Sequence, residues 1–178
     1  AMFSSAQRRA VAAIAARLQW PVMPDVCSGM RSASYAASRA PIVPMYDLLL
    51  SEPSLEAALA VDVVLQIGGR LVSKRLQALV AAASTAVIFV EQHGERMDPD
   101  HCVTHRLQGD MPSLLHALIA GIDSPTPSPL LALCEASTNA EAALVCKLQE
   151  LADVSEPWVA RRICSVLSGQ AEDEVRCS

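Results

Sequence analysis

The sequence predicts an α/β fold: a Rossmann-like parallel sheet with flanking helices, followed by C-terminal helices. Three observations carry this. "VDVVLQIG" and "TAVIFVEQ" are continuous and β-branched, the pattern of strands buried on both faces in a parallel sheet. "SKRLQALVAAAS" lies between them with a helical pattern, and strands alternating with helices at this spacing make right-handed parallel crossovers. Beyond "DSPTPSP" at residues 123–129, which reads as a linker, only helical patterns follow.

In chain order, residues 5–19 form the first helix, with Val11, Ile14, Ala15 and Leu18 at helical spacing and Trp20-Pro21 as its stop. "PVMPDVCSG" reads as a short strand leading into a turn, and "MRSASYAASRAPIVP" as a loop. "PMYDLLLSEPSLEAAL" predicts two short helices parted by Pro53, with Ser51 or Ser54 capping the second. The strand over 61–68 follows, then a helix capped by Ser73, then the second buried strand. "HGERMDPDHC" is a polar loop and "VTHRLQGD" a weaker, partly exposed strand. "MPSLLHALIAGI" is a helix with Pro112 in its first turn and Gly121 near its end. Helices over residues 130–152 and over "SEPWVARRICSVLSG", the latter capped by Ser155, complete the chain.

With 178 residues the chain can bury a real core without disulfides. Charged residues are 19%, below the roughly 25% of typical soluble domains, so part of the surface is expected to be covered by other protein. Net charge is −5 and aromatics are 3%, with no basic stripe interleaved with aromatics, which argues against nucleic-acid binding. The longest nearly apolar run, residues 78–90, falls short of the ~20 residues that span a bilayer. The six cysteines form no zinc spacing and read as small buried side chains in a reducing compartment.

Two polar clusters carry chemistry. Gly68 and Gly69 end a strand, where ligands of open α/β sheets collect, and the next helix opens at Ser73 with Lys74 and Arg75 in its first turn. Free N–H groups, the positive dipole end and two cations make this a candidate carboxylate or phosphate site. Solvated helix-surface charges explain the same pair, and neither G-x-G-x-x-G nor a P-loop is present. His93, His101 and His105 lie near Cys102, but His101 and His105 straddle a loop-to-strand boundary where i,i+4 spacing sets no common face. A loop held by turns at Asp98 and Asp100 around Pro99 accounts for this cluster, and no metal site is assigned.

"LQIGGRLVSKRL" resembles the middle domain of the MenD family, the thiamine-diphosphate-dependent 2-succinyl-5-enolpyruvyl-6-hydroxy-3-cyclohexene-1-carboxylate synthases of menaquinone and phylloquinone biosynthesis. "LQWPVMPDVCSG", "RMDPDHCVTHRLQGD" and "VSEPWVARRICSVL" are similar to further family segments in the same order, the second to the plant-type proteins. The resemblance implies a thiamine-diphosphate-enzyme central domain over residues 1–122 that lacks its first strand, a linker and helix over 123–154, and the start of the diphosphate-binding domain over 155–178.

It further implies that the complete enzyme uses thiamine diphosphate and Mg²⁺ to join a decarboxylated 2-oxoglutarate unit to isochorismate. This chain carries no catalytic residue under that reading. Lys74 and Arg75 would bind substrate carboxylates, with Gly68, Gly69 and Ser73 forming the supporting turn. Partners would be the N-terminal and C-terminal thiamine-diphosphate domains, in a homo-oligomer without a membrane span. The compartment would be the plastid for a plant-type enzyme and otherwise the cytoplasm. The chain ends in "DEVRCS", which departs from the family's pattern before Ser178, so no role passes to that serine. Apart from the resemblance, the residues also suit a non-catalytic Rossmann-like module binding an anion or nucleotide, or serving assembly. A regulatory site using Arg31, Arg39 and Arg96 is a third reading, for which solvated loop charge is the simpler account.

Overall fold

Strands β1 (Val63–Ile67), β2 (Ala86–Glu91) and β3 (His105–Gln108) form one sheet in that order, all parallel. β1 and β2 pair from Val63↔Ala86 to Ile67↔Val90, and β2 and β3 from Ile88↔His105 to Glu91↔Gln108. The computed structural model describes residues 3–31, 39–94, 98–123, 125–150 and 154–168. Two compact units divide the chain, residues 1–137 with the sheet and residues 138–178.

The helices of the first unit cover the sheet through two clusters. Helix α1 (Ser5–Leu18) is opened by a capping box in which Ser4 and Gln7 satisfy each other's N–H groups. It packs against α5 (Met111–Ala120): Ala10, Val11 and Ile14 meet Met111 and Leu115, with Met30 and Val90 of β2 in the same cluster. The second cluster joins Val43, Leu50 and Tyr46 of α2 (Tyr46–Leu49) to Leu76 and Leu79 of α4 (Lys74–Ala81), with Leu133 beside them. Helix α3 (Pro53–Ala58) separates α2 from β1 in the chain. Helix α6 (Ala132–Glu150) begins in the first unit, where the Ser137 hydroxyl accepts the Met45 N–H at 3.0 Å. The second unit holds the remainder of α6 and α7 (Glu156–Ser168), with Ser155 capping α7 as its sequence predicts and Arg161 facing Glu141 at 4.0 Å.

Several expectations change. The strand expected at "PVMPDVCSG" contracts to one parallel bridge, Val22↔Ile42, because Pro21 and Pro24 remove two ladder donors. A 3₁₀ turn, Val26–Ser28, then takes over. β1 is half-buried along its whole length rather than buried on both faces, and among the described residues it pairs with β2 alone. Neither Ser51 nor Ser54 caps α3. Ser54 lies inside it, and the Glu52 carboxylate accepts its N–H and hydroxyl. Beside the expected linker, Arg17 donates to the carbonyls of Ile122 and Asp123, and the Ser128 N–H donates to the Gln19 carbonyl at 3.2 Å. Cys27 and Cys164 are exposed, so the expectation of uniformly buried cysteines fails. Among the described residues no helix is long and apolar enough to cross a membrane.

Candidate functional site

The carboxyl end of β1 turns at Gly68, whose φ of +94° lies in the region that favours glycine. A Cβ built there would stand 2.6 Å from the Phe3 ring, so the phenyl group lies directly against this turn. Gly69 differs: a Cβ there would meet nothing within 4 Å. Of the two glycines, only Gly68 is required by geometry.

Residues 69–73 then run to α4 and are held by two carboxylates from elsewhere in the chain. Asp25 accepts the Val72 N–H at 2.7 Å and the Cys27 N–H at 2.9 Å. Asp47 of α2 accepts the Ser73 hydroxyl and, at 3.1 Å, the Arg75 guanidinium. Ser73 in turn accepts the Leu76 N–H at 3.1 Å, the N-cap expected from the sequence. Gln77 closes the loop by donating to the Leu71 carbonyl at 2.6 Å.

Asp25 and Asp47 are the residues sequence reasoning missed. Their partners lie 47 and 28 positions away, and no local pattern reports such distant contacts. Asp25 also shows why its segment has its spacing. It caps the turn Val26–Ser28, while the Ser28 hydroxyl donates to its carbonyl at 2.6 Å and accepts the Met30 N–H at 3.2 Å.

The basic pair is thus divided. Arg75 is ion-paired to Asp47 with both side chains roughly half exposed, an arrangement that contributes at most about 1 kcal/mol. Lys74 is exposed and has no hydrogen-bond or ion-pair partner among the described residues. An anion at this helix start would meet the Lys74 ammonium, could share Arg75 with Asp47, and would find the first-turn N–H groups that helix geometry leaves open. Nearby, burial pushes the Tyr46 phenol above its ordinary pKa, the charge of Asp25 adds to this, and Arg31, 5.7 Å over the ring, opposes it.

At the adjoining strand ends, Glu91 is buried and ion-paired to Arg106, whose guanidinium also lies over the Phe89 ring. The histidine cluster does not converge. His101 sits at φ +53°, His105 contacts the Thr104 hydroxyl, and Asp98 holds the loop by accepting the Cys102 and Val103 N–H groups at 3.0 and 3.2 Å. Among the described residues no group of three or more His, Cys, Asp or Glu side chains could hold a metal ion. Of the arginines considered for regulation, Arg31 is committed to the Pro44 carbonyl and Tyr46, Arg39 is exposed, and Arg96 lies outside the described residues, as does Ser178.

A single parallel sheet with flanking helices, and a helix start beside the carboxyl end of a strand, defines a domain of the α/β class. The family model described as "Middle domain of thiamine pyrophosphate" matches residues 2–172, and the chain belongs to that family. Its relatives include proteins named 2-succinyl-5-enolpyruvyl-6-hydroxy-3-cyclohexene-1-carboxylate synthase from Rubrobacter xylanophilus and Synechococcus elongatus. The first is 37% identical over 92% of this chain and the second 29% over 91%. "Protein PHYLLO, chloroplastic" of Arabidopsis thaliana is 29% identical over 89% of the chain. The chain spans 28%, 27% and 10% of these three proteins.

Proposed function

We propose that this chain is the central domain of a thiamine-diphosphate-dependent synthase, and that Lys74 and Arg75 offer positive charge to a substrate carboxylate. The complete enzyme would join a decarboxylated 2-oxoglutarate unit to isochorismate in menaquinone or phylloquinone biosynthesis. Thiamine diphosphate and Mg²⁺ would be held by other domains of a homo-oligomer. Such an enzyme works in the plastid of a plant and in the cytoplasm of a bacterium. The observation that carries the reading is the exposed Lys74 ammonium on the first turn of α4, beside the Gly68 turn. Both substrates are acidic, and the names of the relatives point to the same reaction.

The test is steady-state kinetics on the complete enzyme. Each charge-assisted hydrogen bond is worth about 1.5–3 kcal/mol, so Lys74→Ala should raise the apparent KM for one of the two substrates roughly 10- to 150-fold. Unchanged KM values for both substrates in the Lys74→Ala and Arg75→Ala enzymes would refute the role. The Asp47 ion pair favours a second reading for Arg75 alone, as a strut between α2 and α4. In that case Arg75→Ala lowers the melting temperature slightly and leaves KM unchanged.

A further inference from the structure

The two carboxylate oxygens of Asp47 have separate partners at the start of α4. Oδ1 accepts the Ser73 hydroxyl, and Oδ2 accepts an Arg75 N–H at 3.1 Å. A serine hydroxyl has a single proton, and here Asp47 takes it. A lone pair of Ser73 is thereby turned to the Leu76 N–H, 3.1 Å away. One carboxylate thus fixes both the N-cap rotamer of α4 and the direction of the Arg75 guanidinium. Lys74 lies in the chain between these two held residues.

A group that positions others must itself be held by packing. Asp47 sits on α2 between Tyr46, 3% exposed, and Leu50, 2% exposed, which pack with Leu76 and Leu79 of α4. The Met45 N–H at the head of α2 donates to the Ser137 hydroxyl at 3.0 Å. Arg75 is different: its long side chain is about half exposed, and without a partner it would sample many rotamers.

The contact leaves the guanidinium usable. Arginine carries a planar fork of N–H donors, and Asp47 meets it through one oxygen, at Nη1. A bidentate carboxylate would occupy a whole side of the fork, but the other oxygen of Asp47 is committed to Ser73. The remaining N–H groups stay open to an incoming carboxylate.

We infer that Asp47 is a positioning residue of the carboxylate site: it acts through Arg75 and Ser73, presetting the guanidinium for the substrate. This rests on the role proposed above for Lys74 and Arg75. Two effects of Asp47 oppose each other. Its charge repels a substrate carboxylate, and its hold removes the cost of ordering Arg75 on binding. The Asp47 side chain is 44% exposed, so the repulsion is screened by solvent, whereas the ordering cost is not. The hold therefore dominates.

Steady-state kinetics on the complete enzyme tests this with Asp47→Asn, Arg75→Ala and the double variant. Asparagine keeps the shape of the side chain and an oxygen for Ser73, but lacks the charge that holds the guanidinium. Ordering one such side chain corresponds to roughly a 2- to 12-fold change in affinity. Asp47→Asn should raise the apparent KM of the substrate that Arg75 contacts by about that factor, with a smaller change in kcat. In the Arg75→Ala enzyme the same substitution should no longer raise KM. An unchanged KM for Asp47→Asn alone would overturn the inference, and so would a lowered one, which would show that repulsion dominates. An equal rise with and without Arg75 would also overturn it, because it would report a loosened α2 rather than a hold on the guanidinium. Unchanged KM values for Arg75→Ala would remove both this role and the reading beneath it. A raised KM for Arg75→Ala with an unchanged one for Asp47→Asn would remove the role of Asp47 alone.

Discussion

At the scale of single residues, the segment from Gly68 to Arg75 separates side chains that look alike in sequence. Gly68 and Gly69 are adjacent, yet only Gly68 has φ of +94° and a phenyl ring where its Cβ would be. Gly68→Ala is expected to destabilise by about 1–3 kcal/mol and Gly69→Ala to stay within about 0.5 kcal/mol, measured by urea unfolding. Equal effects would show that the turn tolerates any residue. Lys74 and Arg75 divide in the same way. One guanidinium is tied to Asp47, and one ammonium extends to solvent.

At the scale of elements, helix ends carry more than the sequence pattern suggests. Helix α5 starts at Asp110, whose carboxylate accepts both the N–H of Ser113, at 3.1 Å, and its hydroxyl, at 2.6 Å. These bonds, the hydroxyl's first, hold the Asp110 carboxyl below its ordinary pKa. A carboxyl depressed on folding contributes stability above its unfolded pKa and loses it as pH falls through the folded value. Asp110→Asn keeps a cap oxygen but cannot titrate. The stability difference between the two proteins should therefore shrink as acid is added through the carboxylate range. A difference independent of pH would assign the cap no electrostatic part. Pro112, which the sequence did mark, only presets the backbone of the same turn.

At the scale of the whole molecule, the first unit rests on two clusters, and Leu115 is fully buried where α5 meets α1. Leu115→Ala should lower unfolding free energy by about 2–5 kcal/mol, read as a shift of the urea midpoint. A shift below about 0.5 kcal/mol would mean that α1 and α5 dock without depending on this contact. The kinetic test of Lys74 belongs here too. It asks what the rest of a longer polypeptide adds to this domain at the basic helix start.

The sequence by itself determined the fold class, the places of β1, β2 and β3, the Ser73 and Ser155 caps, and the strand end beside Lys74 and Arg75. These are local signals: β-branched runs, helical periodicity and capping residues act within a few positions. Only the tertiary structure decided what those residues meet. The hold of Asp25 and Asp47 on residues 72–75 and the Phe3 ring against Gly68 join distant parts of the chain. A run such as "VDVVLQIG" reads the same whether its second edge is paired or open, because pairing depends on a neighbour and not on the strand itself.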